Sequence, residues 1–337
     1  MVPSERSTVG PKHARHDFMR LPMPADDRRA LRVPRWLLAA LLLLLALGAL
    51  AGCGGSSNGA SSGQIAAVGA ENEYANVIEQ IGGKYVKVSA IESNPNTDPH
   101  TFEASPSVAQ EVSQAKLIVQ NGVGYDTYME KIESASSNSA RKVINVQKLL
   151  GLPESTPNPH LWYKPTTMPA VAAALASDLS ALQPAHAAYF QANARAFDAS
   201  LQPWLTALRQ FSERYPGATV ATTEPVGDYM LEAAGTTNLT PFSMQADIMN
   251  GTDPSPQDVT LQNGLFANHR VKVFVYNQQV TDSVTEGFLK EAARAGAPVV
   301  GVYETMPTPG YDYQSWMMAE LRALEKAVAD KTSTQRL

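Results

Sequence analysis

The pattern of apolar and polar positions predicts that strands and helices alternate over most of the chain. Short apolar runs bounded by polar or glycine-containing turns indicate buried strands, and longer stretches with apolar residues three or four positions apart indicate helices. Strands that are apolar throughout are typical of parallel sheets covered on both faces. We predict strands at residues 65–69, 85–91, 116–120, 143–146, 218–222, 272–276 and 298–303.

Two long helices are predicted between the first four strands and the last three. The first covers residues 165–182, and the second covers residues 185–215, a length of about 30 residues or ~45 Å. Apolar residues recur at helical spacing in the second helix, so one of its faces is expected to pack along both halves of the chain. Pro203 lies inside this helix and is expected to kink it.

A short internal repeat supports two equivalent lobes. A helix, a strand, a polar turn and a second helix follow Ser105-Pro106, and the same order follows Ser255-Pro256. Serine before proline is a favourable helix start, because serine caps the first turn and proline suits the first helical position. We therefore expect an α/β fold with two lobes, each holding a small parallel sheet flanked by helices, joined by one long linker helix. Residues 242–254 are interpreted as a mobile loop.

The first 52 residues differ from the rest of the chain. The 337-residue sequence is 44% hydrophobic and 18% charged, as expected of a globular protein with a substantial core. Several arginines precede the apolar run at residues 36–50, which is shorter than the ~20 residues that a membrane-spanning helix needs. This combination predicts an export signal.

Cys53 is the one cysteine of the chain, and it directly follows Leu50-Ala51-Gly52. This tetrapeptide resembles the lipobox of bacterial lipoproteins, which implies cleavage before Cys53 and lipidation of its thiol. The alternative is an ordinary signal with an incidental cysteine. A lone cysteine excludes an internal disulfide. With the Gly- and Ser-rich residues 54–63 as a flexible tether, we expect a protein anchored by lipid on the extracytoplasmic face of the cell membrane.

The charge of the remaining chain favours a cationic ligand. Residues 1–52 hold eight of the 27 Lys and Arg and four of the 32 Asp and Glu, which leaves 19 basic and 28 acidic residues, a net charge of about −9. Nucleic-acid binding depends on an excess of basic residues, so this balance argues against a nucleic-acid partner. It mildly favours cations.

Two histidines lie in matching turns. His100 follows Asp98-Pro99, and His160 follows Asn158-Pro159. Proline fixes its own φ and restricts the residue before it, so each turn should hold its imidazole at a set angle, as a metal ligand requires. The alternative is a pair of loop histidines that face water. His186 and His269 are assigned to the surface.

Two acidic residues directly follow predicted strands of the second half. Glu224 comes after the strand at residues 218–222, and Glu304 ends the strand at residues 298–303. Ligands of open α/β sheets bind outside the carboxyl ends of strands, and a buried carboxylate must be paired, solvated or metal-bound. Glu224 has the alternative role of an acid at a helix start. We rank below these two the acids on helices or in the predicted loop, Asp228, Glu232, Asp247 and Asp282.

These motifs together resemble a known family. The segments around His100 and His160, followed by Glu224 and Glu304 in this order, are similar to the metal-binding lipoproteins of ABC importers for zinc and manganese, the cluster A-I solute-binding proteins. The resemblance covers nearly all of residues 64–330. It implies a non-enzymatic protein that binds one divalent ion between its lobes through His100, His160, Glu224 and Glu304.

The resemblance also implies partners and a division of the chain. The protein would be a monomer that delivers its ion to the transmembrane permease of an ABC importer. Glu224 stands where many zinc-specific members have a third histidine, and Asn158 replaces a more usual Asp. The expected segments are a signal peptide at residues 1–52, a lipidated tether at 53–63, an N-terminal metal-binding lobe at 64–165, a helical connection at 166–216 and a C-terminal lobe at 217–337.

The ligand set leaves the metal and two other functions open. Two imidazoles and two carboxylates suit Zn²⁺ or Mn²⁺, with Fe²⁺ as a lesser candidate, and Zn²⁺ should bind at least as tightly as Mn²⁺ by the Irving–Williams order.

A secreted metal-dependent hydrolase with a His/His/Glu site would need an open position for water. A haem or siderophore carrier would need a wide aromatic cleft. An adhesin role is sometimes attached to members of the family that the chain resembles.

Overall fold

Two four-stranded parallel sheets organise this computed structural model, which describes residues 63–307 and 309–337. The strand order is β2-β1-β3-β4 in the first sheet and β6-β5-β7-β8 in the second, so both sheets share one topology. This equivalence agrees with the internal repeat in the sequence. The strands are β1 Ile65–Glu71, β2 Val86–Glu92, β3 Leu117–Gln120, β4 Lys142–Asn145, β5 Thr219–Thr222, β6 Thr237–Asn238, β7 Val273–Asn277 and β8 Val299–Val302.

Each predicted strand is present, with ends that differ by at most two residues. The strand that the sequence did not predict is β6, which has two residues and pairs with β5. A strand of two residues is too short to show an alternation of apolar and polar positions. It is therefore identified only by its pairing with β5. The predicted signal segment, Cys53 and residues 54–62 lie outside the described residues.

Helices cover the faces of both sheets. Ser105 and Ser255 accept hydrogen bonds from the backbone N–H groups of Val108 and Asp258, which confirms both predicted helix starts. The helices are α1 Asn72–Gly82, α2 Pro106–Gln114, α3 Thr127–Ala135, α4 Val146–Leu149, α5 Thr167–Leu182, α6 Ala187–Arg214, α7 Asp228–Ala233, α8 Phe242–Met249, α9 Pro256–Ala267, α10 Ser283–Arg294 and α11 Tyr313–Asp330.

Helix α8 corrects the interpretation of residues 242–254 as a mobile loop. Met244 and Ile248 lie one helical turn apart, and both are buried in the hydrophobic cluster of the second lobe. Because a polar and glycine-containing segment surrounds these two residues, the short apolar face was not recognised in the sequence. Packing against α9 and a hydrogen bond from Gln245 to Thr222 of β5 stabilise a helix that its own pattern only weakly favours.

The long helix α6 joins the two lobes, as predicted. It has 28 residues with Pro203 inside it, and its buried residues are Phe190, Ala194, Phe197, Leu201, Trp204, Leu208 and Phe211. This face packs on α1 of the first lobe, on the neighbouring helix α5 and on α11 of the second lobe. The main hydrophobic core is therefore continuous from one sheet to the other. Within the part of the chain that the structure describes, none of the helices combines the length and the apolar character of a membrane-spanning segment.

Candidate metal centre

The first histidine lies in a short turn after β2. Residues Pro99–Thr101 form a 3₁₀ turn, and Asp98 Oδ1 accepts the backbone N–H of His100 at 2.8 Å. Proline at the first position and this side-chain cap hold the backbone of the turn. The His100 side chain is 21% exposed, so one side of the imidazole remains accessible to solvent.

The second histidine is fully buried, and Asn158 sets its orientation. Asn158 Nδ2 donates to Pro225 O at 2.7 Å, so its Oδ1 must be the atom that faces His160. Oδ1 lies 3.0 Å from the backbone nitrogen of His160 and 2.8 Å from its Nδ1. Because an amide oxygen can only accept, Nδ1 carries the proton and Nε2 keeps its lone pair.

Glu304 brings both histidines together at the carboxyl end of the second sheet. It follows β8 by two residues and is fully buried. Its Oε2 lies 3.1 Å from His100 Nε2 and 3.2 Å from His160 Nε2, and it accepts the Tyr125 hydroxyl at 2.9 Å. One donor atom from each of these two histidines and this glutamate lies within 4.8 Å of the others.

The geometry places two electron-pair donors face to face. Neutral His160 has its lone pair on Nε2, and this atom lies 3.2 Å from the carboxylate oxygen of Glu304. Two such atoms repel each other unless a proton or a metal cation lies between them. Imidazole nitrogen and carboxylate oxygen are both common ligands of divalent transition metals. The site therefore fits a divalent cation.

Electrostatics give His160 and Glu304, but not His100, the protonation states that a metal requires. Burial lowers the pKa of His160, although Glu304 acts in the opposite direction. Burial alone would raise the pKa of Glu304, but the charge of the adjacent His100 imidazole outweighs burial and lowers this pKa. At His100, contact with Glu304 outweighs burial and raises the pKa. His160 is thus neutral and Glu304 is an anion, whereas a proton competes with the metal at His100.

Glu224 lies beside this group but is not one of the three convergent residues. It follows β5 by two residues and is 2% exposed. Asn277 Nδ2 donates to Glu224 Oε2 at 3.2 Å and to Glu304 Oε1 at 2.7 Å, so one amide bridges the two carboxylates. Burial, followed by the charge of Glu304, raises the pKa of Glu224. Its Oε1 is buried without a hydrogen-bond partner and remains available to a cation.

Three residues of the site were not identified in the sequence. Asn277 is the last residue of β7, Gln279 follows it by two positions, and Tyr125 lies in the turn after β3. The carboxyl ends of parallel strands meet at one edge, so the rule that selected Glu224 and Glu304 could also have selected Asn277. Amide and phenol side chains are rarely direct ligands of zinc, so a search of the sequence for metal ligands does not select them.

The histidines assigned to the surface and the acids ranked lower do not belong to the His/His/Glu group. His186 stacks on Tyr85 with 3.8 Å between ring centroids. Asp228 accepts hydrogen bonds from Gln245 and Asn238. Asp282 caps α10, and His269 is exposed.

Two lobes of parallel sheet, a continuous helical connection and a His/His/Glu group formed by both lobes define a metal-binding protein of the two-lobed solute-binding class. The chain belongs to the family described as zinc-uptake complex component A, periplasmic, whose model matches residues 68–327. This match confirms the resemblance to the cluster A-I solute-binding proteins.

Curated relatives and solved structures agree with this assignment. The chain is 31% identical to the manganese-binding lipoprotein MntA of Bacillus subtilis over 167 residues, which are 48% of this chain and 54% of MntA, so the match spans about half of that relative. The fold is similar to the periplasmic zinc binding protein TroA from Treponema pallidum, with a TM-score of 0.68, 18% identity and coverage of 79% of this chain and 100% of TroA. The solute-binding protein FpvC from Pseudomonas aeruginosa, solved in complex with Mn²⁺, has a TM-score of 0.65 and 20% identity, and the match covers 80% of this chain and 99% of FpvC.

Proposed function

We propose that this protein captures one divalent metal ion between its two lobes and delivers it to an ABC importer. The observation that carries the proposal is the contact of His160 Nε2 from the first lobe with Glu304 Oε2 from the second, at 3.2 Å. Both atoms are electron-pair donors, and a cation between them converts repulsion into coordination. An ion held in this way stabilises the arrangement of the lobes.

We assign the ion to His100, His160, Glu224 and Glu304, with Zn²⁺ or Mn²⁺ as the substrate. A divalent ion with two carboxylates forms a neutral site, which lowers the cost of burying the charges. Carboxylate oxygens favour Mn²⁺ more than a site of three imidazoles would, and MntA is named a manganese-binding protein. Zn²⁺ should nevertheless bind at least as tightly to these ligands. A site closed by four protein ligands binds metal without the open position that catalysis requires.

The remaining parts of the chain suit delivery at a membrane surface. Residues 1–52 would direct export, and lipidated Cys53 with residues 54–63 would tether a monomer to the extracytoplasmic face of the membrane. The lobes at residues 64–165 and 217–337, with the connection at 166–216, would then present the loaded site to a permease. Support comes from the lipobox-like sequence before Cys53 and from relatives named as lipoproteins.

Metal titration of the His100→Ala variant tests this function. The unmodified protein should bind one equivalent of Zn²⁺ or Mn²⁺ and melt at a higher temperature when loaded, because the metal binds only the folded state. The variant should lose tight binding and this thermal shift. Competitive titration with a chelator measures the affinity, and metal analysis of the purified protein identifies the ion.

His269→Ala is the matched control, because His269 is exposed and lies outside the site. This variant should retain the full thermal shift. Full metal-dependent stabilisation in His100→Ala would contradict the proposed function.

A further inference from the structure

Three side-chain amides connect the two lobes close to the metal centre. They belong to Asn72 and Asn158 in the first lobe and to Gln279 in the second, and each side chain is at least 93% buried, with exposures of 6%, 7% and 6%. Each amide bonds to backbone of the opposite lobe within three residues of a proposed ligand. We call these three residues the amide clasp.

Asn72 forms the most complete of the three bridges. It is the first residue of α1, and its side chain pairs with both backbone groups of Met306, two positions after Glu304. Nδ2 donates to Met306 O at 2.8 Å, and Oδ1 accepts the N–H of Met306 at 2.9 Å. Asn72 thereby holds the Glu304 segment of the second lobe against the first lobe without contacting a ligand.

Asn158 and Gln279 each connect a ligand of their own lobe to a ligand-bearing segment of the other. Asn158 orients His160 and donates to Pro225 O, directly after Glu224, at 2.7 Å. Gln279 Oε1 accepts the backbone N–H of Glu304 at 2.7 Å, and its Nε2 donates to Thr97 O at 2.8 Å, three residues before His100. The two bridges thus join His160 to the Glu224 segment and Glu304 to the His100 segment.

We propose that the amide clasp holds the lobes at the spacing of the metal centre and thereby sets how long a bound ion stays. This inference rests on the proposed function and adds to it the control of release. The ligands come from both lobes, so an ion leaves when the lobes separate locally, and this separation breaks the clasp. The three amides act as positioning residues, since they change the opening of the site and not its ligand set.

The clasp is suited to this role because its bonds are neutral and mostly buried. Each lost hydrogen bond should speed the release of metal between about twofold and tenfold. Capture should change little, because the open site offers the same four ligands. The affinity should therefore weaken by the factor by which release accelerates.

Asn72→Ala tests the clasp without altering a residue that contacts a ligand. We expect release of Co²⁺ to a chelator, followed by stopped flow, to accelerate at least about fourfold, since two hydrogen bonds are lost. The ligand-field absorption of bound Co²⁺ should stay unchanged, because the ligand set is intact. Asn76→Ala is the matched control: Asn76 lies one turn along α1 and also bonds to the second lobe, where it accepts the Tyr313 N–H at 3.0 Å, nine positions after Glu304. Its release rate should match that of the unmodified protein.

Gln279→Glu tests a second bridge between the lobes. It separates the effect of a lost hydrogen bond from the effect of an added negative charge. Glutamate retains the acceptor for the N–H of Glu304 and loses the donor to Thr97 O. An added negative charge alone should hold a cation longer, whereas a lost bridge should release it sooner. Asn96→Asp, in the exposed loop before His100, adds the same charge without a bridge to lose. We expect faster release in Gln279→Glu and equal or slower release in Asn96→Asp.

The outcomes distinguish the clasp from the function on which it rests. Faster release in Asn72→Ala and Gln279→Glu, with an unchanged Co²⁺ spectrum and unaffected controls, supports the clasp. Unchanged release in both variants overturns it, as does equal acceleration in Asn76→Ala, which would indicate general loosening. An altered Co²⁺ spectrum also overturns it, because the amides would then act on the ligands themselves. An unmodified protein that binds neither Co²⁺, Zn²⁺ nor Mn²⁺ contradicts the proposed function instead.

Discussion

The neighbours of His160 decide which of its ring nitrogens is available to a cation. The backbone carbonyl of Pro225 orients the Asn158 amide, and that amide places the imidazole proton on Nδ1. A neutral asparagine does this without adding a charge beside the buried ring. Mutation of a residue that orients a metal ligand in this way commonly lowers metal affinity by about 10–100-fold.

Glu224→Gln tests whether Glu224 coordinates the ion directly. Loss of a ligand carboxylate should weaken binding by more than the ~10–100-fold typical of residues that only support a ligand. Asn277→Ala provides that reference, because Asn277 contacts both Glu224 and Glu304 by hydrogen bonds. Competition with a chelator measures both variants. A smaller loss in Glu224→Gln than in Asn277→Ala would exclude Glu224 as a direct ligand.

Helix α6 illustrates how one element connects the two lobes. Its apolar positions were sufficient to predict the helix to within two residues at each end. What they could not identify was the partner of each residue: Trp204 packs against Tyr313 of α11, with 6.3 Å between ring centroids. This contact belongs to the continuous core that joins the lobes.

Trp204→Ala should reduce the stability of the metal-free protein. Trp204 is 1% exposed, and truncation of a buried tryptophan costs about 3–5 kcal/mol, since both burial and packing are lost. Urea unfolding measures this loss. Gln202→Ala, on the exposed face of the same helix, should change stability by no more than about 0.5 kcal/mol. Equal effects of the two substitutions would contradict the assignment of this face to the core.

Across the described residues of the molecule, several carboxyl groups are buried without an ion pair to a basic side chain. Glu71, Glu73 and Glu92 lie near the carboxyl end of the first sheet, and Glu320 lies in α11. Burial raises the pKa of each of these groups, to about 9 for Glu92 and to about 8 for Glu320. A raised pKa in the folded state means that folding favours the protonated acid. The stability of the metal-free protein should therefore fall as the pH rises.

Glu320→Gln isolates one contribution to this pH dependence. Glu320 accepts hydrogen bonds from Tyr163 and Trp316, each at 2.8 Å, and glutamine resembles its protonated form. Its stabilising effect is complete below the pKa of the unfolded chain, near ~4.3, and is lost as the pH rises through about 8. Urea unfolding between these values should show a slope that is smaller in the variant by up to about 1.4 kcal/mol per pH unit. Identical slopes would contradict a raised pKa at Glu320.

Cys53→Ser tests how the whole protein is held at the membrane. A serine cannot form the thioether of a lipoprotein, so the variant should move from the membrane fraction to the soluble extracytoplasmic fraction. Fractionation of cells that express each form, followed by immunoblotting, measures the distribution. Ser57→Ala, in the same tether, should remain with the membrane. Retention of Cys53→Ser in the membrane fraction would contradict a lipid anchor at this residue.

The amino-acid sequence by itself determined the features that depend on neighbours along the chain. The apolar runs predicted seven strands, Ser105-Pro106 and Ser255-Pro256 predicted helix starts, and the Asx-Pro-His turns identified His100 and His160. Each of these signals is local, because a strand period, a cap or a proline-restricted turn involves residues only a few positions apart. The resemblance to a family supplied the grouping of the histidines with the two glutamates.

Only the tertiary structure decided which side chains meet in space. It placed Glu304 between the two imidazoles, placed Glu224 beside them through Asn277, and joined the lobes by Asn72, Asn158 and Gln279. Asn72 and Met306 are separated by 234 positions in the sequence, so no local pattern can predict that they meet. Such contacts form because two sheets of the same topology bring the carboxyl ends of their strands to one interface, and that geometry arises only when the whole core has folded.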